Sequence, residues 1–197
     1  MKRHKICKII LVILTVFLCV AFYELIGICI TYKKQPEVSD ATIKETQNIM
    51  SVAGRENTER AVIIEKNSQA LLERVRLIQN AKDEIILSTF AFKSDESGKL
   101  ILGALHDAAD RGVHVRILVD GMESWIDMEG NPYFYGLSSH ENVEIKLYNK
   151  ANPLKPWKTM GRMHDKYLIA DDKIYILGGR NTYNYFLGDF PGHKNFD

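Results

Sequence analysis

The sequence predicts an α/β domain with a mixed, mainly parallel sheet flanked by helices, preceded by one transmembrane helix. Three observations support this prediction. The first 30 residues contain a long apolar run, the central region alternates between β-rich and helical patterns, and the last β-rich stretches form a hairpin pattern. A chain of 197 residues is long enough for one domain with a sizeable core.

The N-terminal segment is long enough to cross a membrane as a helix. Residues 9–30 are apolar with four exceptions, and a helix of about 20 apolar residues spans the hydrocarbon core. A cleaved signal peptide would have a shorter apolar region followed by a small-residue cleavage site, which "GICITYKKQ" does not offer. We therefore expect residues 1–8 to be a basic N-terminus and residues 9–30 to be an uncleaved anchor.

The charges on either side of the anchor predict its orientation. Lys33 and Lys34 follow the anchor, whereas four basic residues precede it: Lys2, Arg3, Lys5 and Lys8. Basic residues favour the cytoplasmic side of a membrane. We therefore expect a single-pass protein of the cell membrane, with a cytoplasmic N-terminus and an extracytoplasmic domain.

Charge and cysteine content exclude several protein classes for the rest of the chain. Beyond residue 30 there are 22 basic and 24 acidic residues, a net charge of −2. Nucleic-acid binding usually needs a broad basic face, so nucleic acid is not the expected partner. All three cysteines lie within the first 30 residues, which excludes a disulfide framework and a cysteine zinc site in the domain.

The chain beyond the anchor divides into a linker and a domain. Residues 31–58 are polar and charged, and we interpret them as a linker that is partly helical; residues 59–197 form the domain. In the domain, "NSQALLERVRLIQNAK" predicts a helix and "EIILSTFAF" a strand. A second helix, which Gly112 ends, leads to the strand "VHVRILVDG". This strand–helix–strand order predicts parallel neighbouring strands.

The second half of the domain contains a loop, a strand and a hairpin. "NVEIKLYN" predicts a third strand, and "KYLIADDKIYILGG" predicts a hairpin that turns at Asp171 and Asp172. Residues 122–141 predict a loop with several aromatic side chains. These could enter a bilayer or cover the core, and we favour the core: Trp125, Tyr133, Phe134 and Tyr135.

Polar residues bracket the predicted hairpin. His164 and Lys166 precede the first arm, and Gly178, Gly179 and Asn181 follow the second arm. Alternate side chains of a strand share a face, so His164 and Lys166 are expected to point the same way. An ammonium and an amide can hold phosphoryl oxygens beside exposed glycine backbone, while an imidazole attacks phosphorus. The pattern therefore predicts a site for an anionic phosphate group.

The complete stretch "HDKYLIADDKIYILGGRN" resembles the signature of the phospholipase D superfamily, His-x-Lys-x₄-Asp-x₆-Gly-(Ser/Gly)-x-Asn. Its "GGRN" ending, with "YF" soon after, is similar to a cardiolipin-synthase-like branch. The preceding strand–helix–strand unit resembles the first such unit of that fold. The resemblance extends over roughly residues 60–197 and implies a phospholipase D-like lobe.

The resemblance implies a role for each residue of the motif. His164 would be the nucleophile that forms a covalent phosphohistidine, and Lys166 and Asn181 would bind phosphoryl oxygens. Asp171 is grouped with His164 and Lys166 as a catalytic residue of the motif, but its expected role is to support the structure of the site. Arg180 occupies a variable position and receives no catalytic role. No metal or other cofactor is expected, because lysine and amide donors neutralise the phosphate.

The chain departs from the family pattern in one respect. Family members bring two such motifs together, one histidine attacking and the other protonating the leaving group, and this sequence contains one. We therefore expect a second motif-bearing lobe or a second copy of the chain as partner. The loop-like sequence that leads to Asp197 suggests a truncated first lobe, that is, a fragment.

The preferred function is that of a membrane-anchored phosphodiesterase or phosphatidyltransferase, cardiolipin-synthase-like, acting on a phosphatidylglycerol-like phospholipid. Two alternatives are a dimeric single-motif nuclease of the same superfamily and a catalytically incomplete half-domain. Residues 150–166 form a basic stretch with Trp157, which fits anionic headgroups or a solvated loop equally well. We interpret His106 and His114 as structural.

Overall fold

The structure is a computed structural model that describes residues 2–33, 38–50 and 60–195. The predicted boundary between linker and domain, at residues 58 and 59, lies outside this part of the chain. The chain forms two compact units: Met1–Val62 with Leu154–Lys158, and Ile63–Pro153 with Thr159–Asp197.

Two α-helices lie in the described part of the first unit. Helix α1 spans Lys2–Lys33 and includes the whole predicted anchor. Its residues His4–Thr31 are long and apolar enough to cross a membrane, judged by length and composition. Helix α2 spans Asp40–Met50, so the predicted linker is partly helical. The Ser39 hydroxyl oxygen accepts a hydrogen bond from the backbone N–H of Thr42, as an N-cap residue does.

The second unit is built on a five-stranded mixed sheet with the order β3-β2-β1-β4-β5. Strands β1, β2 and β3 are parallel, and β4 is antiparallel to both of its neighbours. The predicted α/β fold with a mainly parallel sheet is therefore confirmed. The strands are β1 Glu84–Thr89, β2 His114–Asp120, β3 Val143–Tyr148, β4 Tyr167–Ala170 and β5 Ile174–Leu177.

Four helices accompany this sheet among the described residues, and one short 3-10 helix begins in the segment Leu154–Lys158 of the first unit. The helices are α3 Asn67–Asn80, α4 Glu96–Asp110, α5 Trp125–Met128 and α6 Pro132–Ser138, and the 3-10 helix is Pro156–Met160. Local signals define α4, the crossover helix. The Asp95 carboxylate accepts a hydrogen bond from the backbone N–H of Gly98 at its start, and Gly112 has a positive φ of 90° just after its end. The predicted β1-α4-β2 unit is confirmed, with β1 and β2 parallel.

The hydrophobic core lies between the helices and one face of the sheet. Alternate residues of β1 and β2 point into it, as the period of a strand requires, and each fully buried aliphatic side chain contributes about 1.5–3 kcal/mol. This packing fixes the carboxyl ends of β1 and β2 at one edge of the sheet. The central residues of the hydrophobic core are Ile78, Ile85, Leu87, Ile101, Leu105, Val115, Ile117 and Val119.

The region predicted as a loop, residues 122–141, contains α5 and α6. Asn131 caps α6 by accepting a hydrogen bond from the backbone N–H of Tyr133, and Pro132 occupies the first turn, where it is tolerated. Of the four aromatic residues expected to cover the core, Phe134 does so, with its ring centroid 5.1 Å from that of Phe92. The prediction was wrong for the other three, which are exposed: Trp125, Tyr133 and Tyr135.

Candidate active site

The structure contains the predicted hairpin, and both ends of the motif lie at one edge of the sheet. Strands β4 and β5 pair in antiparallel register from Tyr167 with Leu177 to Ala170 with Ile174. The turn uses Asp171 and Asp172, whose φ values are 55° and 52°. Aspartate tolerates this left-handed conformation better than most residues do. The antiparallel pairing brings the residues before β4 close to those after β5.

His164 and Lys166 lie just before β4, outside the strand. The predicted strand alternation therefore does not apply to them: His164 is exposed, whereas Lys166 is 6% exposed. The Lys166 ammonium donates a hydrogen bond to the carbonyl oxygen of His164 at 2.7 Å. The backbone N–H of Gly178 donates to the carbonyl oxygen of Lys166 at 3.3 Å. The ammonium of the buried lysine is thus bonded to the backbone of the residue that carries the exposed imidazole.

The ring of Phe90, directly after β1, joins these groups. Its centroid is 4.7 Å from that of the His164 imidazole in an edge-to-face contact. The ammonium nitrogen of Lys166 is 5.3 Å from the same centroid, within the range of a cation–π interaction. Nothing in the sequence pattern indicated that Phe90 contacts His164 and Lys166, because Phe90 is more than 70 residues away from the motif in the chain.

Asn181 reaches the same place from the other end of the motif. Its side-chain oxygen accepts a hydrogen bond from the backbone N–H of Ala91 at 3.2 Å, and Thr182 pairs with Ala91 and Phe92. This contact uses the oxygen of the buried Asn181 side chain, so its amide nitrogen is the donor end. The three residues His164, Lys166 and Asn181 therefore converge on Phe90 and Ala91 at the carboxyl end of β1. An exposed imidazole beside an ammonium and an amide can attack and hold a phosphoryl group.

Asp171 lies at the opposite end of β4 from His164. Its carboxylate accepts hydrogen bonds from the backbone N–H groups of Lys82, Asp83 and Glu84, at 2.8–3.2 Å. These bonds hold the pKa of the Asp171 carboxyl below its usual range, and the bond from the Asp83 N–H has the largest effect. The structure thus places Asp171 apart from the other motif residues, where it fixes the hairpin turn to the start of β1.

Arg180 is buried, although its position in the motif gave no reason to expect this. Its guanidinium donates to the side-chain oxygen of Asn67 at 3.0 Å and to the carbonyl oxygens of Ile64 and Glu65 at 3.2 and 2.6 Å. These bonds attach the end of the motif to the residues that lead into α3. Arg180 therefore contributes to the fold of the site from behind it.

A buried acidic residue at the end of β2 fixes the segment before His164. Asp120 is 1% exposed and binds Arg162 and the backbone N–H groups of Met122, Glu123 and Met163. Burial alone would raise the pKa of the Asp120 carboxyl. The hydrogen bonds together outweigh burial and lower this pKa, and the bond from Arg162 has the largest effect among them. Asp120 and Arg162 are separated by 42 residues, so no local sequence signal relates them.

One group of side chains within the described residues has the composition of a metal site. It consists of His106, Asp107 and Asp110 in the last turn of α4. Helix α4 ends beside the start of β2, at the opposite edge of the sheet from His164, and His114 begins that strand. These side chains therefore do not contribute to the site at Phe90.

Comparison with known proteins gives matches over the same region. The family model described as "Cardiolipin synthase, PLD-like domain" matches residues 74–185. Cardiolipin synthase C of Escherichia coli (strain K12) is 30% identical over 139 residues, which are 64% of this chain and 28% of that protein. An uncharacterized protein of Helicobacter pylori (strain ATCC 700392 / 26695) is 34% identical over 145 residues, 68% of this chain and 28% of that protein.

One solved structure supports the same fold. Phosphatidylserine synthase of Haemophilus influenzae Rd KW20 superposes with a TM-score of 0.50 at 19% identity, covering 68% of this chain and 30% of that one. NucT from Helicobacter pylori gives a TM-score of 0.48 at 21% identity, covering 65% of this chain and 73% of that one. The chain spans 28% of the length of the two curated relatives described above.

Proposed function

Because the chain belongs to the family of cardiolipin synthase phospholipase D-like domains, we propose that it is a membrane-anchored phosphodiesterase or phosphatidyltransferase that acts on phospholipid. The observation that carries this proposal is the convergence of His164, Lys166 and Asn181 on the end of β1. Together they offer one nucleophile and two types of oxyanion donor, the set that a metal-free phosphoryl transfer needs.

In the proposed reaction, the His164 imidazole attacks the phosphorus of a phosphodiester. A P–N bond forms while the bond from phosphorus to the leaving oxygen breaks, and the leaving oxygen takes a proton from a general acid. An acceptor alcohol or water then loses a proton and attacks phosphorus, and the P–N bond breaks. Transfer to phosphatidylglycerol gives cardiolipin, and transfer to water gives hydrolysis. Lys166 and Asn181 hold the non-bridging oxygens in both steps.

The general acid is proposed to come from a second motif. His164 is the only one of the six histidines in this sequence that is followed by lysine at the second position. A second motif-bearing lobe, or a second copy of this chain, would place another imidazole across the phosphate from His164. The isolated monomer is then expected to be nearly inactive toward phospholipid, because an alkoxide leaves poorly without a proton.

Helix α1 supports a lipid substrate over a nucleic acid. A membrane anchor keeps the domain beside phospholipid, whereas the net charge of −2 beyond residue 30 provides no general attraction for DNA. The flanking charges support a cytoplasmic N-terminus and an extracytoplasmic domain. The substrate would be a phosphatidylglycerol-like phospholipid.

The proposal is tested in cells whose own cardiolipin synthases have been deleted. With a second copy of the chain supplying the general acid, expression of the full chain is expected to produce cardiolipin, or phosphatidic acid if water is the acceptor, measured by mass spectrometry of lipid extracts. The same extracts from cells that express the His164→Ala variant should lack these products. Unchanged lipids together with DNA degradation by the purified chain would instead establish the nuclease alternative.

Loss of the buried lysine is expected to impair the reaction without unfolding the protein. In Lys166→Ala the phosphoryl oxygens lose their cationic donor, and the rate of product formation should fall about 10²–10³-fold, as for the loss of one oxyanion donor. The protein should remain folded, with the midpoint of thermal unfolding lowered by several degrees, since losing a hydrogen bond from a charged donor costs about 1.5–3 kcal/mol. Lys173→Ala, at the exposed hairpin turn, is the matched control. An equal effect of both variants on the rate would count against the role of Lys166.

A further inference from the structure

Arg162 lies two residues before His164 and contacts the same aromatic ring. Its guanidinium carbon is 5.1 Å from the centroid of Phe90. The Lys166 ammonium nitrogen is 5.3 Å, and the His164 ring centroid 4.7 Å, from that same centroid. One ring therefore contacts the proposed nucleophile, its lysine and a second cation that the motif does not contain.

Asp120 fixes the direction of this guanidinium. The Nε–H of Arg162 donates to both carboxylate oxygens of Asp120 at 2.9 and 3.0 Å, and Nη2 donates to Oδ1 at 2.7 Å. A two-pronged contact of this kind holds the guanidinium plane in one orientation. It uses the Nε and Nη2 edge, so the two N–H groups of Nη1 face away from Asp120. The Arg162 side chain is 35% exposed, so a solute can reach it.

The contact also fixes the chain next to the nucleophile. The carboxylate of Asp120 accepts a hydrogen bond at 3.1 Å from the backbone N–H of Met163, the residue between Arg162 and His164. Asp120 is 1% exposed and cannot move without breaking these bonds. The Arg162 side chain and the backbone before His164 are therefore held by one buried group.

We propose that Arg162 is a third phosphoryl-binding residue of the site, and that its Nη1 donates to a non-bridging oxygen of the phosphodiester that His164 attacks. This inference rests on the proposed function, because it assumes that a phosphate group occupies the site. Negative charge on the non-bridging oxygens must be stabilised in the transition state, and a planar guanidinium is well suited to phosphate. Asp120 would be its positioning residue.

The inference is tested by the binding of inorganic phosphate to the full chain in micelles of a neutral detergent, measured by isothermal titration calorimetry. In Arg162→Ala the affinity is expected to fall about 10- to 100-fold, the effect of losing one charge-assisted hydrogen bond. Free guanidinium ion should restore part of the affinity. Arg116→Ala, an exposed arginine on β2 paired with Glu84, should bind phosphate like the wild type.

A second variant covers the case in which Arg162→Ala does not fold. Arg162→Lys keeps the positive charge, so it should retain the fold. Its single ammonium must bind both Asp120 and phosphate, so it should bind phosphate several-fold more weakly. Phosphate affinity equal to that of the wild type in a folded Arg162 variant would overturn the inference. This test does not depend on catalysis. Phosphate should bind to His164→Ala with an affinity that depends on Arg162, even if the wild type shows no transfer reaction.

Discussion

Replacement of His164 by alanine is expected to abolish the release of p-nitrophenolate from bis(p-nitrophenyl) phosphate by the purified full chain. This substrate suits a chain with one motif, because p-nitrophenolate is a stable anion and leaves without a proton from a general acid. The wild type should release close to one p-nitrophenolate per chain in a rapid first phase. Without the nucleophile, the rate of that phase should fall about 10⁴-fold or more.

The control for this experiment is another exposed histidine. His114→Ala removes an imidazole at the start of β2, at the opposite edge of the sheet from His164. It should release p-nitrophenolate like the wild type. A first phase that persists in His164→Ala, with circular dichroism showing an unchanged fold, would assign the chemistry to a different group and refute the role of His164.

Replacement of Asp120 by alanine is expected to give the largest loss of stability among substitutions around the site. The buried carboxylate binds Arg162 and three backbone N–H groups, and the variant leaves the N–H of the buried Met163 without this acceptor. We expect the free energy of unfolding to fall by about 3 kcal/mol, because part of the Arg162 side chain can still reach water. Tryptophan fluorescence during denaturant titration in micelles measures the change.

The cost of Asp120→Ala should depend on pH. The pKa of the Asp120 carboxyl is lowered in the folded state, so its stabilisation is fully present above the unfolded pKa of about 3.9 and is lost as the pH falls through the folded value. The difference in unfolding free energy between wild type and variant should therefore be constant from pH 7 to pH 5 and should shrink in stronger acid. A matched variant of an exposed aspartate, Asp189→Ala, should change stability by less than about 0.5 kcal/mol at any of these pH values. A loss of stability this small in Asp120→Ala would contradict the stabilising role of the Asp120 hydrogen bonds.

The sequence predicted those parts of the fold that depend on local signals. The crossover helix α4 has a capping aspartate and a terminating glycine, and the hairpin has two aspartates that tolerate a left-handed turn. The short helix α6 also had a local signal, since Asn131 and Pro132 form a favourable helix start. The prediction of a loop there was wrong because the helix start at Asn131 and Pro132 was not recognised.

The parts of the site that could not be predicted depend on contacts between distant residues. Phe90 follows β1 and contacts His164, whereas Asp120 follows β2 and holds Arg162. Each pair is brought together by the parallel arrangement of β1 and β2 and by the antiparallel approach of β4, which no periodicity of one segment reveals. The order of the strands places three separate loops at one edge of the sheet.

The orientation of the motif residues shows the same limit of local patterns. Strand alternation predicted that His164 and Lys166 share a face, but β4 begins at Tyr167 and the two residues differ in exposure. They are related instead by the hydrogen bond from the Lys166 ammonium to the His164 carbonyl oxygen and by their common contact with Phe90. Tertiary contacts, more than strand geometry, produce the arrangement.

The most direct test of the proposed chemistry is the identification of the covalent intermediate after reaction with bis(p-nitrophenyl) phosphate. Trypsin cleaves after Arg162 and Lys166, so mass spectrometry can isolate residues 163–166, a peptide with one histidine. We expect this peptide to carry a p-nitrophenylphosphoryl group that is labile in acid and stable in alkali, as a phosphohistidine is. An alkali-labile adduct on Asp165, an adduct on another peptide, or the absence of any adduct during rapid p-nitrophenolate release would contradict the role of His164 as the nucleophile.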